Sequence, residues 1–159
     1  MRYLPNQAKI NPKVIDIRPF QLELLPQLKA IFLENTPEYF APEEWTDLHQ
    51  YLEEHSASYF VLMQKDELIG AGGYRLLDES SAQFHWNFLA LAHQKKRLGS
   101  RLLEFCIKEV QQIEGIETLE VRTSQHAEGF YHKFGFEVIR REENYWAQDL
   151  HLVQMSLSF

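Results

Sequence analysis

The basic run Lys95-Lys96-Arg97 follows Gln94 and leads through Leu98 into Gly99 and Ser100. It lies where a strand-like pattern, Gln83 to Leu89, gives way to a helical one, Leu98 to Ile113. The first amides of a helix lack partners inside the helix, and the dipole there favours an anion. Glycine lets the backbone approach closely, and the cationic side chains add charge, so the junction suits a pyrophosphate. A solvated basic loop is the plainer alternative. His85, flanked by Gln83 and Asn87 at alternate positions, carries the side chain best matched to proton transfer near neutrality, with an ordinary pKa of about 6.5. Its competing reading is a hydrogen-bonded histidine beneath a sheet. Glu38, Tyr39 and Glu44 form an acidic, aromatic stretch that suits a cationic amine or simply a helix dipole. The other histidines show no ligand spacing on one element, and no metal site is expected. Cys106 is a lone cysteine on an apolar helix face, unable to form an internal disulfide or a cysteine zinc site.

These residues need a scaffold, and the chain of 159 residues is the right length for one domain. We read residues 1–13 as an N-terminal tail and 14–159 as a single domain. A net charge of −7 opposes a nucleic-acid role, which needs many phosphate contacts. No apolar run approaches a membrane span, and nothing at the start resembles a secretory signal, so a cytoplasmic protein is expected. Val14 to Arg18 alternates as a half-buried strand does, and Pro19 to Leu33 has helical spacing. Pro42 opens a second helix. Ser58 to Gln64 and Leu68 to Leu76 flank a Lys65-Asp66-Glu67 turn, a hairpin pattern. Along Gln83 to Leu89, strict alternation puts Phe84, Trp86 and Phe88 on one face and Gln83, His85, Asn87 and Leu89 on the other. Leu102, Leu103, Cys106, Ile107, Val110 and Ile113 make the following helix amphipathic. Thr118 to Thr123 reads as a strand, and His126 to Phe134 as a short helix closed by Gly135. Val138 to Arg140 and His151 to Ser156 read as strands, with Arg141 to Asn144 turning between them. The expected fold is α/β (α+β), a mixed sheet with helices on both faces.

The string Gln94-Lys95-Lys96-Arg97-Leu98-Gly99 resembles the Gln/Arg-x-x-Gly-x-Gly/Ala signature of the GCN5-related N-acetyltransferases (GNAT), with Arg97 in the place of the first glycine. If that position needs a left-handed backbone, arginine costs roughly 1–2 kcal/mol there. Phe130-Tyr131-His132-Lys133-Phe134-Gly135-Phe136 is similar to the family's Tyr-x-x-x-Gly-Phe segment. The resemblance covers about Ile15 to Ser156. It implies a mostly antiparallel central sheet flanked by helices, and transfer of acetyl from acetyl-coenzyme A to an amine without a covalent enzyme intermediate. It also implies that Leu89 and Leu91 offer backbone groups to the acetyl carbonyl and pantetheine. Gln94, Lys95, Lys96, Arg97, Leu98, Gly99 and Ser100 would hold the pyrophosphate. Ser124 falls where many members have a cofactor-contacting asparagine. Tyr131 would donate to the departing thiolate, and His85 is the candidate base.

The resemblance leaves the acceptor open between a small-molecule and a peptide amine. A non-catalytic acyl-coenzyme A sensor with the same fold is the alternative, motivated by Arg97 and Ser124. No nucleic acid or membrane partner is expected. A homodimer is conceivable through Leu152 to Leu157, although internal pairing explains that strand equally well.

Overall fold

A computed structural model of the chain describes residues 14–159, so the expected tail over 1–13 lies outside the described residues. The elements are β1 (Ile15–Pro19), α1 (Leu25–Glu34), α2 (Glu44–His55), β2 (Tyr59–Gln64), β3 (Glu67–Leu76) and β4 (Ser81–Leu89). They continue as α3 (Leu98–Gln111), β5 (Thr118–Thr123), α4 (Glu128–His132), β6 (Glu137–Ala147) and β7 (Leu150–Ser158). The fold is mixed α/β, a seven-stranded, mostly antiparallel sheet in the order β1-β2-β3-β4-β5-β7-β6, flanked by helices. Contacts divide the chain into two compact units, residues 14–71 with 88–99, and residues 72–87 with 100–159.

In the first unit β1 pairs antiparallel with β2, Ile17 opposite Leu62. Residues Tyr59 to Met63 of β2 are all buried, so this strand is covered on both faces. Pro26 in the first turn of α1 costs little, because its missing N–H would have had no helical partner. Leu28, Ile31 and Phe32 of α1 and Leu48 and Leu52 of α2 are buried. The β2–β3 turn is Lys65-Asp66, with Lys65 left-handed at φ 55°.

In the second unit β4 runs parallel to β5, Phe84 opposite Val121. Parallel neighbours need a crossover, and α3 supplies it. Leu98, Leu102, Cys106 and Val110 recur every four residues along α3 and are all buried, as the amphipathic pattern predicts. Strand β7 has β5 on one side and β6 on the other. Both its edges are filled inside this chain, which decides for internal pairing of the C-terminal strand.

Two expectations need correction. Arg141 to Asn144 is not a turn: β6 continues to Ala147, and the reversal falls at Gln148-Asp149. Breaks in register around Ile139 and between Glu142 and Ala147 let a charged, irregular sequence stay in an edge strand. Alternation along β4 is also interrupted. Trp86 has a φ of 50°, and one left-handed residue turns the strand so that a strict period of two no longer assigns its faces.

Candidate active site

The connection from β4 to α3 lies within the first unit up to Gly99. Lys95 and Arg97 have φ values of 63° and 61°. Left-handed residues at alternate positions are the backbone pattern that turns successive N–H groups into an anion-binding concavity. Arg97 therefore does occupy a left-handed position, at the cost expected for a side chain bearing a Cβ. Lys95, Lys96 and Arg97 are exposed, and no ion pair among the described residues engages them. Leu98 is buried, while Gly99 and Ser100 are half-buried.

The end of α1 holds this connection in place. Asn35 is 2% exposed. Its Nδ2 donates to Ile31 O and to Leu89 O, each at 2.9 Å. Its Oδ1 accepts from Gln94 Nε2 at 3.3 Å. Beside it, Glu34 Oε2 accepts from the Leu91 N–H at 3.1 Å. The Gln94 side chain thus anchors the loop from within, and the Leu91 N–H is already engaged. Glu44, a candidate for attracting an amine, accepts from the Ala41 N–H at 2.7 Å and closes its own helix start. Phe40 stacks on Phe32 at 5.1 Å and meets Phe88 edge-on at 5.8 Å.

The second unit holds the phenol. Tyr131 is 3% exposed, and Asn87 Nδ2 donates to its Oη at 3.4 Å. Burial pushes the phenol well above its ordinary range, while the bond from Asn87 pulls weakly the other way. The group is neutral at any physiological pH. Phe130 and Phe136 pack edge-on against its ring at 5.0 and 5.4 Å. The short helix carrying Tyr131 is shorter than the expected His126 to Phe134, spanning Glu128–His132, and the turn after it closes at Gly135, whose φ is 93°. Gly135 N donates to His132 O at 3.0 Å and Phe136 N to Tyr131 O at 3.3 Å, the paired bonds of a Schellman cap. Gly72 allows β3 to pass close to Asn87, since a Cβ there would lie 3.1 Å from Asn87 Cα.

His85 is half-buried in β4. Ser124 uses its hydroxyl locally, accepting from the His126 N–H at 3.3 Å to shape the turn before α4. Sequence reasoning missed Asn35 and Glu34 altogether and treated Asn87 only as a marker of strand face. The available signal was weak: an asparagine after a helix reads as a cap, and its partners lie more than fifty residues away. No cluster of three or more metal-ligating side chains occurs among the described residues.

A family model described as an acetyltransferase (GNAT) domain matches residues 25–159. The chain belongs to the GCN5-related N-acetyltransferase family. No curated protein sequence matches it. Among solved structures, the ribosomal-protein-S18-alanine N-acetyltransferase from Escherichia coli is 18% identical, with a TM-score of 0.76 over 91% of this chain and 94% of that one. An aminoglycoside 6'-N-acetyltransferase complexed with coenzyme A is 18% identical, with a TM-score of 0.73 over 90% of this chain and 96% of that one. Arabidopsis thaliana Naa50, bound to a coenzyme A bisubstrate analogue, is 18% identical, with a TM-score of 0.71 over 91% of this chain and 99% of that one. Likeness at these identities shows a shared fold, and the family supports acetyltransferase activity.

Proposed function

We propose that the protein transfers the acetyl group of acetyl-coenzyme A directly to a primary amine of a small molecule or peptide. The observation that carries this reading is the Gln94–Gly99 connection, left-handed at Lys95 and Arg97, rich in uncommitted positive charge and leading into a helix. Its amides would hold the pyrophosphate through Ser100, and Leu89 N–H would serve the oxyanion. The amine nitrogen attacks the thioester carbonyl, a C–N bond forms and the C–S bond breaks. Tyr131 donates a hydrogen bond to the departing thiolate, which leaves as the anion, and the phenol keeps its proton because burial suppresses its ionisation. His85 takes the amine proton, directly or through water. Ser124 would contact the cofactor arm only by giving up its turn bond to His126 N–H.

Two similar proteins are named for an aminoglycoside and crystallised with a peptide-like bisubstrate, which keeps both kinds of acceptor in view. The test is calorimetric uptake of coenzyme A, followed by thiol release from acetyl-coenzyme A with a panel of amines and peptides. Cys106 does not contaminate that readout, because burial, with a smaller push from the Glu109 charge, raises its thiol to about 12. Release with at least one amine or peptide of the panel is expected. No uptake sinks the reading, and uptake without release on any amine favours the sensor.

A further inference from the structure

Asn35 makes more bonds than a helix end requires. One bond from Nδ2 to Ile31 O would satisfy an orphan carbonyl of α1. The second Nδ2 hydrogen goes instead to Leu89 O, at the end of β4, and Oδ1 receives Gln94 Nε2, at the start of the basic loop. Both donors and one acceptor site of a single buried amide are spent, and two of the three bonds reach the connection that precedes α3. A buried polar side chain with its hydrogen bonds made holds its neighbours in one arrangement, because any other leaves groups unpaired. The loop it grips carries two left-handed residues, Lys95 and Arg97, neither of which is a glycine. Such residues relax toward ordinary backbone unless their surroundings prevent it.

We infer that Asn35 is a positioning residue: through Leu89 O and Gln94 it keeps the Lys95–Gly99 amides converged before any ligand arrives. It touches no ligand itself. The link to coenzyme A rests on the function proposed above, whereas the link to loop conformation does not.

The test uses Asn35→Ala, Gln94→Leu and their double variant, with Leu52→Ala in the core of α2 as a control for lost stability. In the free protein, Asn35→Ala and Gln94→Leu should each lower the backbone order parameters across Lys95–Gly99 from about 0.85 to below about 0.6. Leu52→Ala should leave those order parameters at the parent's values in spite of its lower melting temperature. For coenzyme A, each loop variant should weaken binding by a similar factor, and the double variant should be no worse than the weaker single. Turnover at saturating acetyl-coenzyme A should change far less than its KM. Should Asn35→Ala fail to fold, Gln94→Leu decides the matter through the same order parameters. Unchanged order in the loop, or loop order that tracks melting temperature in all variants including Leu52→Ala, overturns the inference. So do binding losses that multiply in the double variant. If the parent takes up no coenzyme A, the proposed function fails while the relaxation experiment still judges Asn35.

Discussion

At the scale of single residues, the proposed chemistry falls to groups whose protonation and backbone state the fold sets. Tyr131 is neutral because burial opposes the phenolate, and Asn87 aims its hydroxyl. Tyr131→Phe should lower turnover about tenfold or more while leaving the coenzyme A dissociation constant nearly unchanged, since ring packing survives and only the donor is lost. Steady-state kinetics beside calorimetry would show it, and parental turnover would remove Tyr131 from the reaction. Ionisation of Tyr131 is suppressed in the folded state, so a basic limb in the rate profile below pH 10 belongs to another group. Arg97 makes the opposite kind of case, a side chain kept in spite of its backbone. Arg97→Gly should raise stability by about 1 kcal/mol, roughly 2–4 °C in Tm, by relieving the left-handed strain. The same change should weaken coenzyme A binding more at low salt than at high salt, because it removes a charge. Scanning calorimetry and a salt series separate the two effects.

At the scale of elements, the candidate site depends on junctions rather than on the interiors of strands and helices. The cap at Gly135 uses the carbonyl of Tyr131 itself as an acceptor. Gly135→Ala should cost roughly 1–2 kcal/mol, since a left-handed conformation is disfavoured once a Cβ is present. The Cβ would also sit 3.3 Å from Leu157 Cδ1. Turnover should fall with stability, and a variant melting like the parent would contradict the cap. Asp78 organises the junction before β4. Its carboxylate accepts from the amides of Ser80 and Ser81, each at 2.8 Å. The aromatic contact of Phe40 with Phe88 similarly fastens the segment between α1 and α2 to the end of β4.

At the scale of the molecule, the exposed charges set the response to acid. Hydrogen bonds from the amide of Ser80, then from Ser81, hold the Asp78 carboxyl below its ordinary value, and Arg141 does the same for Glu128. A depressed folded pKa contributes stability at pH values above the unfolded pKa, near 4 for a carboxylate, and loses it as pH falls through the folded value. Melting temperature should therefore drop below about pH 4, and Asp78→Asn should flatten part of that drop. A parallel acid profile for parent and variant would contradict it. Among the described residues no helix is long and apolar enough to cross a membrane.

Local patterns carried much of this protein into view. The basic run and Gly99, the aromatic segment around Tyr131 and the amphipathic spacing of α3 each depend on neighbours a few residues apart, so their chemistry is written in order along the chain. Gly135 was legible for the same reason: a glycine after a helical run has one common use. The reversal at Gln148-Asp149 was missed because β6 is charged, exposed and bulged, and only its pairing with β7 marks it as a strand. The break at Trp86 was hidden because an alternating string looks the same whether or not one residue turns left-handed. Asn35 and Asn87 were hidden more deeply. An amide acquires a role from what it bonds, and their partners at Leu89, Gln94 and Tyr131 come near only after the strands and helices have packed. The order of residues alone marked most of the elements, though not the course of β6, and the kinds of chemistry they could hold. Which amides, carbonyls and hydroxyls meet was decided by tertiary packing, because a hydrogen bond acts over about 3 Å and sequence spacing says little about such distances between remote residues.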